Sequence, residues 1–408
     1  MTDPESPARR RFLRRSAASG AVAALAPGLL PVAGPAAEPA VRGYRTLGRT
    51  GLRISDISFG ASRLRAGEED LVRHALDRGI NYFDSAYGYT GGDSEEVLGQ
   101  VLGPVRDRVV LVSKVESTAD WPREQMMVQL EASLERLRTD YIDIYLCHAV
   151  NDVERLKSQE WQEFVARAKQ QGKIRFSGMS GHAGKLIECL DYALDRDMAD
   201  VILCAYNFGQ DPKFYEQFTR SFNYVANQPD LPRVLAKAKA KNVGVVAMKT
   251  LMGARLNDMR PFESAGGTFA QAAFRWVLSN PDVDALIISM TSREKIDEFL
   301  GASGAHALAA GDLDLLQQYA ALNGMTYCRH ACNDCAGACP YGVQISDVLR
   351  TRMYATDYED LPFAREEYAQ ITTDAAACLA CTGKPCRDAC THGIAIADLC
   401  APTHRMLA

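Results

Sequence analysis

Eight short runs rich in β-branched residues alternate with longer amphipathic segments between about residues 53 and 300. This alternation is typical of parallel β-strands joined by crossover helices, because apolar residues repeat every three to four positions in the longer segments. The predicted strands are Ile54–Phe59, Asn81–Ser85, Val109–Lys114, Ile142–His148, Ile174–Gly178, Asp200–Tyr206, Val243–Lys249 and Ala285–Met290. The predicted helices are Glu68–Arg78, Ser94–Leu102, Arg123–Arg138, Trp161–Gln171, Lys185–Arg196, Pro232–Lys241, Phe269–Leu278 and Arg293–Leu300.

Eight such units over about 250 residues predict an α/β fold, a closed (β/α)8 TIM barrel. The alternative is an open doubly wound sheet, which carries a glycine-rich phosphate turn after its first strand. Here residues 59–64 read FGASRL, without the G-x-G-x-x-G pattern, so the sequence favours the barrel. In such barrels the chemistry takes place at the carboxyl ends of the strands.

Polar residues of catalytic types end three successive predicted strands: Asp84, Lys114 and His148. Tyr87 and Tyr89 follow Asp84, and the strand pattern alone leaves both open. In a barrel mouth partly closed to water, a buried lysine would lower the pKa of a neighbouring tyrosine, and the aspartate would keep the lysine charged. Each residue alone has a structural interpretation, as a loop cap, a surface lysine or a core histidine. Together they predict a proton donor for a carbonyl that becomes an alcohol.

The N-terminal segment combines clustered arginines with a weakly apolar stretch. Residues 9–13 read RRRFL, and an alanine-rich run interrupted by glycine and proline follows from about residue 16 to 32. That run is too short and too interrupted for a stable membrane span. The segment resembles a twin-arginine (Tat) export signal. It therefore predicts a signal peptide at residues 1–36, recognition by the Tat translocase, and a periplasmic or otherwise exported protein; a disordered basic tail is the alternative.

Nine of the twelve cysteines lie after residue 320, and eight of these form two runs. The runs comprise Cys328, Cys332, Cys335 and Cys339, then Cys378, Cys381, Cys386 and Cys390. Thiolates at such short spacings converge on one compact metal centre, and the first run, which ends in Cys-Pro, is close to the bacterial ferredoxin motif for 4Fe–4S clusters. The remaining cysteines are interpreted as structural: Cys147, Cys189, Cys204 and Cys400.

Two other uses of the eight cysteines stay open. Zinc sites more often pair two C-x2-C units or include histidine, which His330 and His392 could supply. Disulfides are the default in an oxidising compartment, but the Tat route carries folded proteins and so suits a metal centre loaded before export. Both runs are followed by similar five-residue sequences, YGVQI and HGIAI. This internal repeat favours a two-cluster, ferredoxin-like unit.

The barrel half of the sequence resembles the aldo-keto reductase family. Residues 44–52 (YRTLGRTGL) are similar to its N-terminal hairpin, and residues 81–89 (NYFDSAYGY) with 94–99 (SEEVLG) resemble its signature. The resemblance covers about residues 43 to 305 and implies NADPH-dependent reduction of a carbonyl, or oxidation of an alcohol, on a small molecule. The family tyrosine lies five residues after the aspartate, which selects Tyr89. The implied catalytic tetrad is Asp84, Tyr89, Lys114 and His148.

The same resemblance implies an NADP(H) site whose nicotinamide end is changed. Ser180 stands at the family's serine, but Gly181 replaces the adjacent asparagine and Leu203 replaces a glutamine. Tyr206 is expected to stack on the ring. At the other end, Lys249 is expected to face the pyrophosphate, and the turn after strand eight offers free N–H groups. The implied cofactor-binding residues are Ser180, Tyr206, Lys249, Ser289, Thr291, Ser292, Arg293 and Glu298.

These observations predict three segments: a signal peptide at 1–36, an aldo-keto reductase barrel at 37–310, and a small, mainly helical, ferredoxin-like iron–sulfur domain at 311–408. The predicted function is an exported oxidoreductase with two C-terminal 4Fe–4S clusters. Hydride transfer moves two electrons and a cluster moves one, so a redox partner protein is expected. A net charge of −5 indicates no general attraction to nucleic acid. The alternatives are an electron-transfer or binding protein with a non-catalytic barrel, and a zinc-stabilised NADPH-dependent reductase.

Overall fold

The strand–helix alternation folds into a closed barrel of eight parallel strands. The computed structural model describes residues 38–182, 184–209, 230–251, 259–263, 266–323, 328, 332, 334–356 and 360–408. The predicted signal peptide lies outside the described residues. The barrel strands are β3 Ile57–Gly60, β4 Tyr82–Asp84, β5 Val110–Val115, β6 Ile142–Cys147, β7 Ile174–Gly181, β8 Val201–Ala205, β9 Gly244–Met248 and β10 Ala285–Ser289, and β10 pairs with β3 to close it.

The first predicted strand, Ile54–Phe59, is wrong in one respect, because it joins two separate strands. Its beginning pairs antiparallel with the preceding segment in a hairpin, β1 Tyr44–Thr46 and β2 Arg53–Ser55, and only its end enters the barrel. The chain bends at Asp56, whose buried carboxylate accepts hydrogen bonds from Ser303 Oγ and Gly304 N, each at 2.6 Å. The apolar alternation shifts its phase at this point, from Ile54 to Ile57 and Phe59, which the prediction of one continuous strand overlooked.

The hairpin closes the amino-terminal end of the barrel. Leu47, in its turn, is fully buried and packs with the apolar side chains that fill the barrel interior. Gly244 begins β9 beside it, and a Cβ at this position would lie 2.6 Å from the Leu47 side chain. The interior is therefore a packed core, and the open end is at the carboxyl ends of the strands.

Helices flank the barrel at the predicted positions. They are α1 Glu69–Asp77, α2 Asp93–Leu102, α3 Arg123–Arg136, α4 Glu154–Lys157, α5 Gln159–Gln170, α6 Leu186–Asp195, α7 Leu231–Ala240, α8 Phe269–Leu278 and α9 Arg293–Leu300. Their apolar faces pack on the strands in a second buried layer. Local signals set some ends: α8 starts with a capping box formed by Thr268 and Gln271.

The cysteine-rich tail is mainly helical, as the sequence predicts. Its helices are α10 Asp312–Asn323, α11 Ile345–Thr356, α12 Leu361–Ala369 and α13 Ile396–Leu407. Val348, Leu349 and Met353 of α11 are buried, in line with the apolar face expected there. No helix among the described residues is long and apolar enough to cross a membrane.

Three polar contacts among the described residues help to fasten the tail to the barrel. The ion pair between Arg275 of α8 and Asp312 of α10 is almost fully buried. Asp360, which caps α12, is 4% exposed and accepts hydrogen bonds from Arg63 Nε at 3.0 Å and from Arg65 at 3.1 Å. The third contact, at the barrel mouth, belongs to the candidate site.

Candidate functional site

The four residues of the predicted tetrad converge at the carboxyl ends of neighbouring strands. Asp84 ends β4, Lys114 lies one residue before the end of β5, and His148 directly follows β6. Lys114 Nζ donates to Asp84 Oδ1 at 2.6 Å and to the Ser85 carbonyl at 2.5 Å. Parallel neighbours in a barrel bring such residues to one rim, although they are far apart in the chain.

Tyr89 completes the group from the turn after β4. Its ring centroid lies 4.9 Å from Lys114 Nζ, and its hydroxyl lies 3.5 Å from His148 Nε2. Tyr87, the other candidate, instead packs its ring under the Arg136 guanidinium at 4.7 Å and does not line the cavity. The geometry therefore agrees with the choice of Tyr89.

A left-handed turn fixes where Tyr89 points. Thr90, Gly91 and Gly92 have φ values of 51°, 68° and 109°, a conformation that suits glycine and is uncommon for threonine. Thr90 Oγ1 donates to the Leu64 carbonyl at 2.7 Å and accepts from Ser94 N at 3.0 Å. These bonds hold the turn against the first residues of α2.

Burial is the main cause of the pKa shifts of Tyr89, Lys114 and Asp84. It raises the pKa of Tyr89 well above its usual value, with a further contribution from Asp84. Burial also lowers the pKa of Lys114, which Asp84 partly offsets, and it raises the pKa of Asp84 against the effect of Lys114. The expectation that Lys114 lowers the pKa of Tyr89 is therefore wrong, because burial and the nearby Asp84 raise it. Tyr89 is protonated at neutral pH and can donate a proton.

Glu116 belongs to the site, although the sequence interpretation missed it. Its carboxylate lies 3.4 Å from His148 Nδ1, and this hydrogen bond is the main cause of its lowered pKa. A Cβ at position 88 would lie 2.6 Å from Glu116 Oε1, so the carboxylate fits because Gly88 is a glycine. The available signal was its position two residues after Lys114. Glu116 fixes the orientation of the histidine ring.

A cavity of about 770 Å³ lies over the tetrad and extends to the turn before α9. Five of the predicted cofactor residues line it: Ser180, Lys249, Ser289, Thr291 and Glu298. Ser180 is buried, and its hydroxyl accepts a hydrogen bond from Ala149 N at 2.9 Å. Arg63, His182, Arg260 and Lys295 also line the cavity and were not predicted.

Three predicted cofactor residues do not line this cavity. The Tyr206 hydroxyl accepts from Asn280 Nδ2 at 2.9 Å, and its ring packs on Trp276 at 5.1 Å. Ser292 caps α9 and accepts from Lys295 N at 3.2 Å. Arg293 lies at the surface, 3.3 Å from the Asp70 carboxylate. These contacts direct the three side chains to other partners.

The tail supplies part of the cavity wall. No pattern in the sequence predicted this contribution. Tyr354 and Thr356 of α11 line it, as do Phe363 and Glu367 of α12. Lys249, directly after β9, donates a hydrogen bond through Nζ to the Tyr354 hydroxyl. Burial and then the nearby Arg350 lower the pKa of Lys249 to about 7.

The cysteines of the two runs gather in two mixed sets. One set lines a small cavity together with apolar Leu349, Ile394 and Ile396; it comprises Cys328, Cys332, Cys335 and Cys390. In the other, Cys378 and Cys386 interact electrostatically with Cys339 and Cys381. The last cysteine of each run therefore joins the other run.

A second donor combination overlaps the first set. Cys332, Asp334 and His392 place one ligand atom each within 4.8 Å of one another. Cys400 is buried beside both sets, and its thiol hydrogen-bonds with Cys378. The tail thus offers thiolate sets for a soft metal centre and one set with mixed ligands.

Comparison with known proteins agrees with the barrel site. The model of the Aldo/keto reductase family matches residues 57–264, half of the chain. L-galactose dehydrogenase from Arabidopsis thaliana is 29% identical over 297 residues, which are 63% of this chain and 87% of that protein. L-glyceraldehyde 3-phosphate reductase from Escherichia coli K12 is 25% identical over 68% of this chain and 92% of its own length. A solved structure of a Pseudomonas aeruginosa protein assigned to the aldo-keto reductases is 28% identical, with a TM-score of 0.51, over 65% of this chain and 96% of that one.

Proposed function

Because the chain belongs to the aldo/keto reductase family, we propose that it is an exported oxidoreductase that interconverts a carbonyl and an alcohol on a small molecule. The observation that carries the proposal is the contact between the Tyr89 hydroxyl and His148 Nε2, 3.5 Å apart over the buried Lys114–Asp84 pair. A substrate oxygen placed beside these two atoms, at hydrogen-bond distance from each, would contact both. A fully positioned general acid of this kind contributes about 10²- to 10⁴-fold to the rate.

In the reduction direction, Tyr89 gives its proton to the carbonyl oxygen and His148 orients that oxygen. Lys114, held by Asp84, stabilises the negative charge that develops on Tyr89 as the proton leaves. In the oxidation direction the same groups accept the proton. The two enzymes named above act on L-galactose and L-glyceraldehyde 3-phosphate by their names. We infer that a small polyhydroxylated carbonyl compound is the substrate class to test first.

The cavity fits a nicotinamide dinucleotide. It runs from the tetrad to the N-terminus of α9, where free backbone N–H groups favour a phosphate. Ser180 would lie at the nicotinamide end, and Lys249, Ser289 and Thr291 along the phosphates. When bound, NADP(H) supplies the hydride.

The two cysteine sets fit two 4Fe–4S clusters, which when bound would carry single electrons. The exchange of the last cysteine between runs is the arrangement of two-cluster ferredoxins. Apolar Leu349, Ile394 and Ile396 line the first set on one part of its wall, and Asp334, Ser346, Thr391 and His392 line the rest. Helix α11 touches both sites, because Leu349 lines the first cysteine set and Tyr354 the barrel cavity. Along the helix axis these two residues are about 7.5 Å apart.

We also infer export by the Tat translocase to the periplasm and a redox partner protein. Residues 9–13 (RRRFL) carry the export signal, and a metal centre loaded in the cytoplasm requires a route for folded proteins. A partner is needed because the clusters exchange one electron at a time. The acceptor or donor would dock at the tail.

Anaerobic purification of the mature protein, followed by iron, sulfide, zinc and nucleotide analysis, tests the proposal. We expect about eight iron and eight sulfide per chain, a brown colour with absorption near about 400 nm that is typical of such clusters, and carbonyl reduction that Tyr89→Phe abolishes. Colourless protein without iron would contradict the cluster assignment. Unchanged function in Tyr89→Phe and Lys114→Met would favour an electron-transfer or binding protein with a scaffold barrel.

A zinc-stabilised reductase is the second candidate, favoured by the combination of Cys332, Asp334 and His392. It shares the barrel chemistry and differs in the tail. Zinc without sulfide in the same analysis, with carbonyl reduction intact, would favour it.

A further inference from the structure

Barrel and tail meet inside the cavity at Lys249. Its ammonium donates a hydrogen bond to the Tyr354 hydroxyl and lies 4.6 Å from the centroid of that ring. Phe363 of α12 packs against the Tyr354 ring at 4.9 Å between centroids. Tyr354 is 4% exposed. The tail therefore holds the hydroxyl rigidly, and the hydroxyl holds the lysine.

The charges around Lys249 favour an anion. Arg350 lies one turn before Tyr354 and is a second cation near Lys249. Burial is the largest cause of the lowered pKa of Lys249, and Arg350 is the next largest. Arg350 is itself paired with Asp347 at 2.7 Å and lies within hydrogen-bonding reach of Tyr354. Glu367 acts in the opposite direction, as a smaller contribution. A buried ammonium next to another cation gains stability when an anion binds.

We propose that Tyr354, on the tail, positions Lys249 against a phosphate oxygen of the bound dinucleotide, so that a tail residue completes the phosphate subsite that the proposed function gives to Lys249. Tyr354 is the positioning residue. The inference rests on the proposed function, because one extended ligand must reach from the tetrad past Lys249 to Ser289. The tail wall then belongs to the cofactor site, and dinucleotide release depends on it.

Protonation of Lys249 gives the subsite a pH signature. Below pH 7 the ammonium is already charged and phosphate binding needs no further proton. Above pH 7 the ammonium loses its proton, and binding must take one up, so affinity falls by up to about tenfold per pH unit. The other charged and titratable groups on the cavity wall are the tetrad, Arg63, His182, Arg260, Glu263 and the Lys295–Glu298 pair on the barrel, with Glu367 on the tail.

The test measures NADPH binding to the mature full-length protein by fluorescence from pH 7 to 9, and its release by stopped-flow displacement. The 2′-phosphate is fully ionised in this range, because its second pKa is near about 6. We expect native affinity to fall as pH rises. Lys249→Met should weaken binding about tenfold or more at pH 7 and remove the pH dependence. Tyr354→Phe should weaken it about three- to tenfold, speed release, and move the decline to lower pH.

Tyr368→Phe is the matched control, since Tyr368 is a buried tail tyrosine that bonds His404 and Ala375 N away from the cavity. It should bind and release NADPH as the native protein does. Native-like affinity and pH profiles in both Lys249→Met and Tyr354→Phe would overturn the subsite and leave the proposed function standing. Absence of NADPH binding to the native protein would overturn the subsite together with the dinucleotide assignment, while the tetrad is judged separately by Tyr89→Phe.

Discussion

The barrel mouth and the cysteine tail prepare their sites in different ways. In the barrel, the buried Lys114 is matched within the chain by Asp84 and the Ser85 carbonyl, so the charges are balanced before any ligand binds. In the tail, eight cysteines gather in two sets, and burial raises the pKa of Cys335 to about 12. Under the proposed function a metal centre would complete each set, and its binding free energy would become folding free energy. The barrel site is organised by its own residues, whereas the proposed tail site would depend on the metal centre it binds.

Replacing Tyr89 makes the largest difference between the two regions. Tyr89→Phe removes the proton donor and keeps the ring, so we expect carbonyl reduction to fall about 10²- to 10⁴-fold. Binding of NADPH and the metal content should stay native. Turnover of a panel of aldoses and small aldehydes measures the effect. Tyr87→Phe is the control, because Tyr87 packs under Arg136 outside the cavity; an equal loss in that variant would contradict the role of Tyr89.

Breaking the Lys114–Asp84 pair tests how much the mutual neutralisation of these two buried charges stabilises the barrel site. Lys114→Met leaves a buried carboxylate unpaired, which costs about 3–5 kcal/mol of stability at neutral pH. The pKa of Asp84 is already raised by burial and rises further without the lysine. Its destabilising effect therefore begins as pH rises above the unfolded pKa, is complete above the folded pKa, and shrinks as pH falls through the folded pKa.

Urea unfolding of the Lys114→Met variant at pH 5 and pH 8 measures this effect. The double variant Asp84→Asn/Lys114→Met should recover most of the stability and none of the activity, because it removes both buried charges. Equal stability loss in the single and the double variant would mean that packing, and not charge, is responsible.

If the two cysteine sets hold two clusters, variants of different cysteines should lose different amounts of iron. Cys335→Ser and Cys390→Ser change the same set, so each should lose about half of the bound iron, and the double variant should lose no more. Cys335→Ser combined with Cys378→Ser changes both sets and should lose nearly all of it. Cys189→Ser, in the barrel core, should keep its iron. Additive loss in the first double variant would contradict the crossed arrangement.

The sequence predicted what depends on local pattern and missed what depends on contacts between distant segments. Strand ends carry Asp84, Lys114 and His148, so periodicity alone brought them to one rim. Ile54–Phe59 was divided by the buried Asp56, which bonds to residues about 250 positions away. The contribution of Tyr354 to the cavity wall was not predicted for the same reason, because no residue near it in the chain indicates a contact with the barrel mouth.

Residues with several possible partners were also hard to assign. Arg293 was expected at a phosphate and instead lies beside Asp70 at the surface, and Tyr206 bonds to Asn280. Spacing predicts where a side chain starts, whereas the partner depends on competition among neighbours. Glu116 shows the opposite case, because its distance from Lys114 was available in the sequence but its bond to His148 was not.

The smallest expected effect concerns Glu116, a barrel residue that acts only through His148. Its pKa is lowered mainly by that hydrogen bond, so its stabilising effect is present above the unfolded pKa and is lost as pH falls through the folded one. The side chain is 40% exposed, so Glu116→Gln should cost less than about 1 kcal/mol at pH 7. The difference from native should disappear once the pH falls below the folded pKa of Glu116, where the carboxyl is neutral in both the folded and the unfolded protein. Turnover should fall a few-fold with an altered pH profile and unchanged KM, since the histidine ring loses its fixed orientation. Glu131→Gln, at a surface pair with Lys173, should leave both turnover and its pH profile native.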